Sequence, residues 1–402
     1  MNLQRTTKKA SGRRPALLYR YLEYPEVAVV APRHSDRTEI HNKTRTNLWF
    51  GGLTNISRAT SKNGIQQPRT VQATRTSMDG LTLSSNVMER FDLAAFRSDH
   101  SAGINSLDFN ATGSLLITAG NDEIACLYNP STAELKKTLY CKKYGIAHVS
   151  FVPTQMAQVL HASRNGWDDT IRLWDIEHGA YLQYFSGHRS VVTSLSLDSS
   201  GFASASLDGH IRLWDYRERK CTANIRDPSL QAPITVKLDP QSTGLWTFTQ
   251  TGHLVLFDTR FVDAGPAVSW PLTAGLKSLD AIEFVGGGKF MHCWGGTADS
   301  KDGVEDSDRS HGYRSVLLST LDASILQTWD VPEQAQVYTI EQEWFVSGNK
   351  QGKLQMHRLS QPEELQWESN RHSCEVTGIG WCPSMMRFVS ADKNGGIAFW
   401  GV

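Results

Sequence analysis

Between Val191 and Asp215 the apolar and polar positions fall into three short runs separated by turn residues. VVTSLSLD alternates with a period of two, FASASL forms a second run, Asp208-Gly209 is a tight-turn pair, and IRLWD is the third run. The tail YRERKCTANI leads into a fourth. The pattern predicts an antiparallel four-stranded sheet, which has two faces to bury and therefore needs sibling sheets to cover them.

Siblings emerge when the position of Trp214 is followed along the chain, through Tyr128, Trp174, Trp214, Phe257, Trp329, Met356 and Trp400. The gaps are 46, 40, 43, 72, 27 and 44 residues, and the irregular pair lies within the 143 residues from Phe257 to Trp400, room for three intervals of about 48. Repeats of roughly 40 to 45 residues predict an all-β, seven-bladed β-propeller. It is assigned to residues 81–402, and residues 1–80 to a disordered basic N-terminal extension. The sequence stops at Trp400-Gly401-Val402 with no fourth strand for its last blade, so residues 87–97, VMERFDLAAFR, are expected to supply that strand and close the ring.

Two blades depart from the pattern. LKSLDAIEFVGGGKFMHCW opens a fifth blade that LLSTLDASILQTWD resumes after a spacer in which Asp299, Asp302, Glu305, Asp306 and Asp308 outnumber Lys301 and Arg309. Those acids lack the spacing of a helix-loop-helix calcium site, and a solvated loop is expected. In blade six EWFVSGNKQGKLQMHRL supplies two strands, and its first strand is expected to be missing or displaced because little sequence separates it from VYTI.

The best repeat also carries polar residues at telling offsets. Asp208 in its turn can accept a hydrogen bond from His188, while Ser204 or Ser206 and the Trp214 indole extend a buried relay; Asp168 stands six residues before Trp174 as Asp208 does before Trp214. His, Ser and Asp are also the residue types of a hydrolytic triad, but their places within one blade suit an internal support network. Arg172 and Arg212 share an offset before their Trp residues and should lie on the face that meets another blade. The cations Lys142, Lys143, Arg189 and Arg217 fall in or near strand connections and are candidates for contact with an anionic partner. The spacing of His372, Cys374 and Cys382 is unlike that of paired metal ligands, and no cofactor or metal is expected.

Charge changes the picture in one respect. The formal net charge of zero conceals 14 Lys/Arg against 5 Asp/Glu in residues 1–80, so a basic arm of +9 is joined to a body of −9. Direct nucleic-acid contact is therefore expected only through the arm. Lys8-Lys9 and Arg13-Arg14 fit a split nuclear-import patch, a phosphate-binding arm or an organelle-targeting segment as well as a plain solubilising tail. Six Cys without a CxxC pair favour a reducing compartment, and no apolar run of membrane-spanning length is present in the sequence.

Four segments carry a family resemblance: TLYCKKYGIAHVSF at 138–151, DDTIRLWDIEHGAYLQYFSGH at 168–188, SASLDGHIRLWDYR at 204–217 and LVLFDTRFVDAGP at 254–266. Together with NVMERFDLAAF and VTGIGWCPSMMRFVSADKNGGIAFW, they resemble the WD40-repeat nuclear subunit known in yeast as Swd2. The resemblance implies a non-enzymatic nuclear scaffold, shared between the Set1-type histone H3 methyltransferase complex and the machinery of mRNA cleavage, polyadenylation and transcription termination. In animals it also implies a nuclear type-one phosphatase complex, and more widely a link to the phosphorylated tail of RNA polymerase II. A different class remains open, that of a substrate receptor of a cullin-based ubiquitin ligase. Trp214-Asp215-Tyr216-Arg217 matches the WDxR pattern of some such receptors, and Phe257-Asp258-Thr259-Arg260 echoes it.

Overall fold

The computed structural model describes residues 84–402 except 166–167, 227–234, 250, 298–311, 332–335, 341–342 and 383. The basic extension assigned to 1–80 and the acidic spacer of blade five lie outside the described residues. A four-residue helix, Ser85–Met88, precedes β1 (Asp92–Arg97). Blade one is β2 (Ile104–Phe109), β3 (Leu116–Gly120), β4 (Ile124–Asn129) and β5 (Glu134–Tyr140). Blade two is β6 (His148–Phe151), β7 (Gln158–Ala162), β8 (Ile171–Asp175) and β9 (Ala180–Phe185). Blade three is β10 (Val192–Leu197), β11 (Gly201–Ser206), β12 (Ile211–Asp215) and β13 (Ala223–Ile225). Blade four is β14 (Val236–Leu238), β15 (Gly244–Phe248), β16 (His253–Asp258) and β17 (Val268–Pro271). Blade five is β18 (Ala281–Val285), β19 (Phe290–Gly296), β20 (Tyr313–Ser319) and β21 (Ile325–Val331). Blade six is β22 (Gln336–Ile340), β23 (Trp344–Gly348), β24 (Leu354–Arg358) and β25 (Gln361–Ser369). Blade seven joins β26 (Val376–Trp381), β27 (Arg387–Asp392) and β28 (Ile397–Gly401) to β1.

The molecule is an all-β seven-bladed propeller in which every blade is a four-stranded antiparallel sheet. In blade seven β1 pairs with β28, Asp92 opposite Gly401 and Arg97 opposite Ile397. The outer edge of β28 is thereby covered by a strand from the other end of the described chain.

Blade six has all four strands, and its first strand is the VYTI segment itself, within β22. The two irregular spacings have one cause. Register pairs Phe202 with Trp214, and the equivalent pairs are Leu116–Tyr128, Val159–Trp174, Leu245–Phe257, Met291–Leu318, Phe345–His357 and Phe388–Trp400. Leu318 and His357, not Trp329 and Met356, thus hold the position of Trp214. Trp329 belongs to the fourth strand of blade five and stacks on Phe345 of blade six, with ring centroids 5.2 Å apart. With this register only the interval from Phe257 to Leu318 is long, and it contains the acidic spacer.

The core lies between blades. Phe202 and Trp214 stack with ring centroids 5.9 Å apart and pack with Leu160, Leu173 and Phe185 of blade two. Phe388–Trp400 and Phe345–His357 repeat that stack at 5.7 and 5.2 Å. Loss of one such aromatic ring costs about 3–5 kcal/mol through lost burial and the cavity left behind.

A second device operates around the axis. Each inner strand presents one row of backbone groups with no strand partner, and polar side chains of the preceding blade take some of them up. Ser106 Oγ accepts from the Val149 amide at 3.2 Å, and Asp108 Oδ2 accepts from the Phe151 amide at 2.8 Å and the Ser150 hydroxyl at 2.9 Å. Ser194 and Ser196 do the same for Val236 and Leu238, and the Thr235 hydroxyl donates to the Leu279 carbonyl. These bonds pin blades one to two, three to four and four to five at the axis.

Candidate functional site

In blade three the imidazole of His188 lies between the turn and the sheet. Its Nδ1 is 3.2 Å from Asp208 Oδ2 and 2.6 Å from Arg212 Nη1, while Nε2 is 2.7 Å from Ser204 Oγ. The Trp214 indole donates to the same Ser204 Oγ at 2.8 Å. Ser206 lies beside this chain rather than in it, donating to the Ser190 carbonyl and accepting from the Asp208 amide. The turn is held by Gly209 at φ 77°, a left-handed conformation that suits glycine, and by the His210 amide bonded to Asp208. Burial, followed by the Arg212 charge, pushes His188 down to about 4, so the ring is neutral at physiological pH. Burial works to raise Asp208, but the Arg189 amide, His188 and the His210 amide outweigh it and hold the carboxyl at about 2.

Ser204 is fully buried and its hydroxyl is engaged from both sides, so it is not presented to solvent as a nucleophile.

Blade seven contains a second such chain. His372 Nδ1 is 2.7 Å from Asp392 Oδ2, its Nε2 is 2.6 Å from Ser390 Oγ, and the Trp400 indole donates to Ser390 at 2.8 Å. Sequence offsets point to Asn394 here, because the turn Asp392-Lys393-Asn394-Gly395-Gly396 is two residues longer than that of blade three. The signal that was available is the His372 to Asp392 interval, 20 residues, the same as from His188 to Asp208. In blade one His100 contacts Asp122 at 3.1 Å and Thr118 at 2.8 Å, but the Tyr128 hydroxyl donates to Asp99 instead.

Blade two is built otherwise. Asp168 and Trp174 do not meet in a hydrogen bond: Asp168 pairs with Arg172 and the Thr170 amide, and the Trp174 indole nitrogen has no hydrogen-bond partner among the described residues. His161 holds the place of Ser204 and spends Nε2 on the Gly145 carbonyl at 2.8 Å. The Arg172 guanidinium, 2% exposed, sits 3.6 Å from the centroid of the Tyr144 ring and within 6 Å of Tyr181 and Tyr184. An internal cation in a tyrosine box thus occupies this blade, which lacks the relay.

The candidate surface cations divide between the two rims. Lys142 and Lys143 lie between β5 and β6, and Arg189 between β9 and β10. Both are connections from a fourth strand to the next first strand and open on one rim. Arg217 follows β12, a third-to-fourth connection, and belongs to the opposite rim. Lys142 and Lys143 are exposed and lie 5.9 and 5.2 Å from the Tyr140 and Tyr144 ring centroids, and Tyr140 is itself 70% exposed. Arg217 and Arg260 repeat one geometry on adjacent blades, each guanidinium donating twice to the carboxylate two residues earlier at 2.9 and 2.6 Å. Among the described residues no group of three or more His, Cys, Asp or Glu is placed to hold a metal ion, and no helix is long and apolar enough to cross a membrane.

Comparison with known proteins agrees with this architecture. The family model "WD domain, G-beta repeat" matches residues 93–129 and 179–215. "Protein ANTHESIS POMOTING FACTOR 1" of Arabidopsis thaliana is 26% identical over 323 residues, 79% of this chain and 93% of that protein. WD repeat-containing protein 82 of Drosophila melanogaster is 26% identical over 329 residues, 80% of this chain and 97% of that protein. The Set1 complex component swd2 of Schizosaccharomyces pombe is 31% identical over 193 residues, 47% of this chain and 53% of that protein. The chain is a seven-bladed β-propeller with two segments that match the WD40 repeat model, and it is similar, over part of its length and at moderate identity, to Swd2-type proteins.

Proposed function

We propose that this protein is a non-catalytic nuclear adaptor. It links histone H3 methyltransferase, or the mRNA 3′-end processing, termination and phosphatase machinery, to transcribing RNA polymerase II. The observation that carries the reading is the 31% identity over 193 residues with a protein named as a Set1 complex component. The propeller suits the role because its rims present separate surfaces on one rigid body, and its polar chemistry is spent inside the blades. Lys142, Lys143 and Arg189 on one rim, beside the exposed Tyr140, have the charge and aromatic character to take a phosphorylated polymerase tail. Arg217 on the other rim is available to a different protein partner, its side chain being 84% exposed. Nucleic-acid contact is assigned only to the basic arm, and the sites on the propeller face proteins.

Binding of a doubly phosphorylated polymerase-tail peptide tests the first rim. Lys142→Glu combined with Lys143→Glu should leave thermal unfolding unchanged and weaken that binding by about tenfold or more. Undiminished binding would remove these lysines from the site.

The repeated Arg217–Asp215 and Arg260–Asp258 geometry favours a second reading, the cullin-linked substrate receptor. Loss of a cullin adaptor on Arg217→Ala and Arg260→Ala, with methyltransferase and processing partners absent throughout, would select it.

A further inference from the structure

At the rim that carries Arg217, the inner strands β2, β6, β10, β14 and β18 end around a cavity of 640 Å³ at the mouth of the axial channel. This volume is within the range of about 300–1,000 Å³ common to ligand sites. Its walls are apolar where those strands finish, at Phe109, Phe151, Leu197, Leu238 and Phe284. Its charged lining is four carboxylates, Asp108, Asp198, Asp239 and Glu283, against one ammonium, Lys237.

We propose that this mouth is a receptor for one arginine or lysine side chain on an extended segment of a partner protein. Three observations support it. The cavity already holds a cationic head: Lys237 Nζ lies 3.0 Å from both oxygens of Glu283, across the boundary between blades four and five. Both side chains of that pair remain about a third exposed, at 32% and 30%, so an incoming guanidinium can reach Glu283 and displace the lysine. A guanidinium gains by the exchange, since its planar fork matches a carboxylate while an ammonium meets it as a point charge. Asp108 supplies the second charge. Its Oδ2 is committed to blade two through the Ser150 hydroxyl and the Phe151 amide, and it lines the same cavity as Glu283. The aromatic and leucine walls then cover the aliphatic stem of the guest.

An anionic guest is disfavoured by the same lining, which carries a net charge of −3 when Lys237 is set against the four carboxylates. The site faces away from the rim of Lys142 and Lys143, so it is separate from the phosphopeptide surface proposed above and does not depend on it.

The test uses the full chain and a short capped fluorescent peptide with one central arginine, compared by fluorescence anisotropy with the same peptide bearing citrulline or glutamate there. The arginine peptide should bind about tenfold or more tightly than the citrulline peptide, and Glu283→Gln should remove most of that margin. Lys237→Met should strengthen binding by deleting the resident cation, a change in the direction that misfolding cannot produce. Equal binding of arginine and citrulline peptides, preference for the glutamate peptide, no detectable binding of the arginine peptide, or an arginine margin untouched by Glu283→Gln would each overturn the proposal.

Discussion

The indole of Trp367 donates to the backbone carbonyl of Phe91 at 2.8 Å, tying the outer strand of blade six to the segment that leads into β1. The Phe91 ring lies 5.7 Å from Phe388, and Trp367 meets Trp400 edge-on at 5.2 Å. Met88 and Phe91 are buried in the same cluster as Trp344, Phe388 and Trp400. Ring closure therefore combines a strand ladder, an aromatic cluster and a side-chain bond reaching 276 residues along the chain.

Closure can be dissected by truncation and by one substitution. Removal of residues 1–80 should leave the propeller folded, whereas removal of 1–97 should expose the edge of β28 and drive association, read by light scattering. Trp367→Phe keeps a ring and loses the donor, and should cost about 1 kcal/mol in urea unfolding. A 1–97 deletion that stays monomeric with unchanged stability would contradict this account of closure.

The two complete relays should respond alike. Asp392→Ala and Asp208→Ala each leave a buried histidine without its carboxylate and should cost about 1–3 kcal/mol. Loss of partner binding by Asp208→Ala with unchanged stability would instead place Asp208 at an interface.

Acid should destabilise the fold through its buried histidines. Burial, as the largest cause, holds His161 and His188 near 4 and His292 near 3, against an ordinary value of 6.5. The unfolded chain thus binds more protons than the folded one between about pH 6.5 and 4. Stability is fully present above that window and falls as pH drops through it, by on the order of 3 kcal/mol for each histidine. Denaturant midpoints measured across the window check the sign.

Asp108 works in the opposite direction. Burial raises it to about 6, against the Phe151 amide and the Ser150 hydroxyl, so its ionised form is disfavoured in the folded state. Its contribution is best below about pH 4 and declines as pH rises through 6. Asp108→Asn keeps an acceptor for the Phe151 amide, and should stabilise the protein by about 1 kcal/mol at pH 7.5 and by nothing near pH 4. Equal effects at both pH values would refute the assignment.

The tyrosine box of blade two depends on guanidinium geometry. Arg172→Lys keeps the charge but cannot stack on Tyr144, and should cost about 1–3 kcal/mol. An unchanged melting temperature would show that charge alone suffices.

Much of this architecture was legible in the chain. Blade three could be read residue by residue because its strands alternate cleanly and its turn is short, and the three strands of the last repeat called for a fourth from upstream. Blades five and six were harder for a physical reason. The blade-facing position needs only a side chain that fills the space, and Leu318 and His357 fill it, while the more conspicuous Trp329 packs on the other face of its sheet. The relay of blade seven was hidden by a longer turn in which Gly395, at φ 85°, carries the chain round. The pairing of Lys237 with Glu283 has no local signature at all, since the residues are 46 apart and meet only when blades four and five are side by side.

The proposed role as a nuclear adaptor is tested by affinity purification of the tagged full chain from nuclear extract, with its stoichiometric partners identified by mass spectrometry. Subunits of a histone H3 methyltransferase, of mRNA cleavage and termination factors, or of a nuclear phosphatase should be recovered. Recovery with a cullin adaptor alone, or only with partners from a compartment without chromatin, would contradict it.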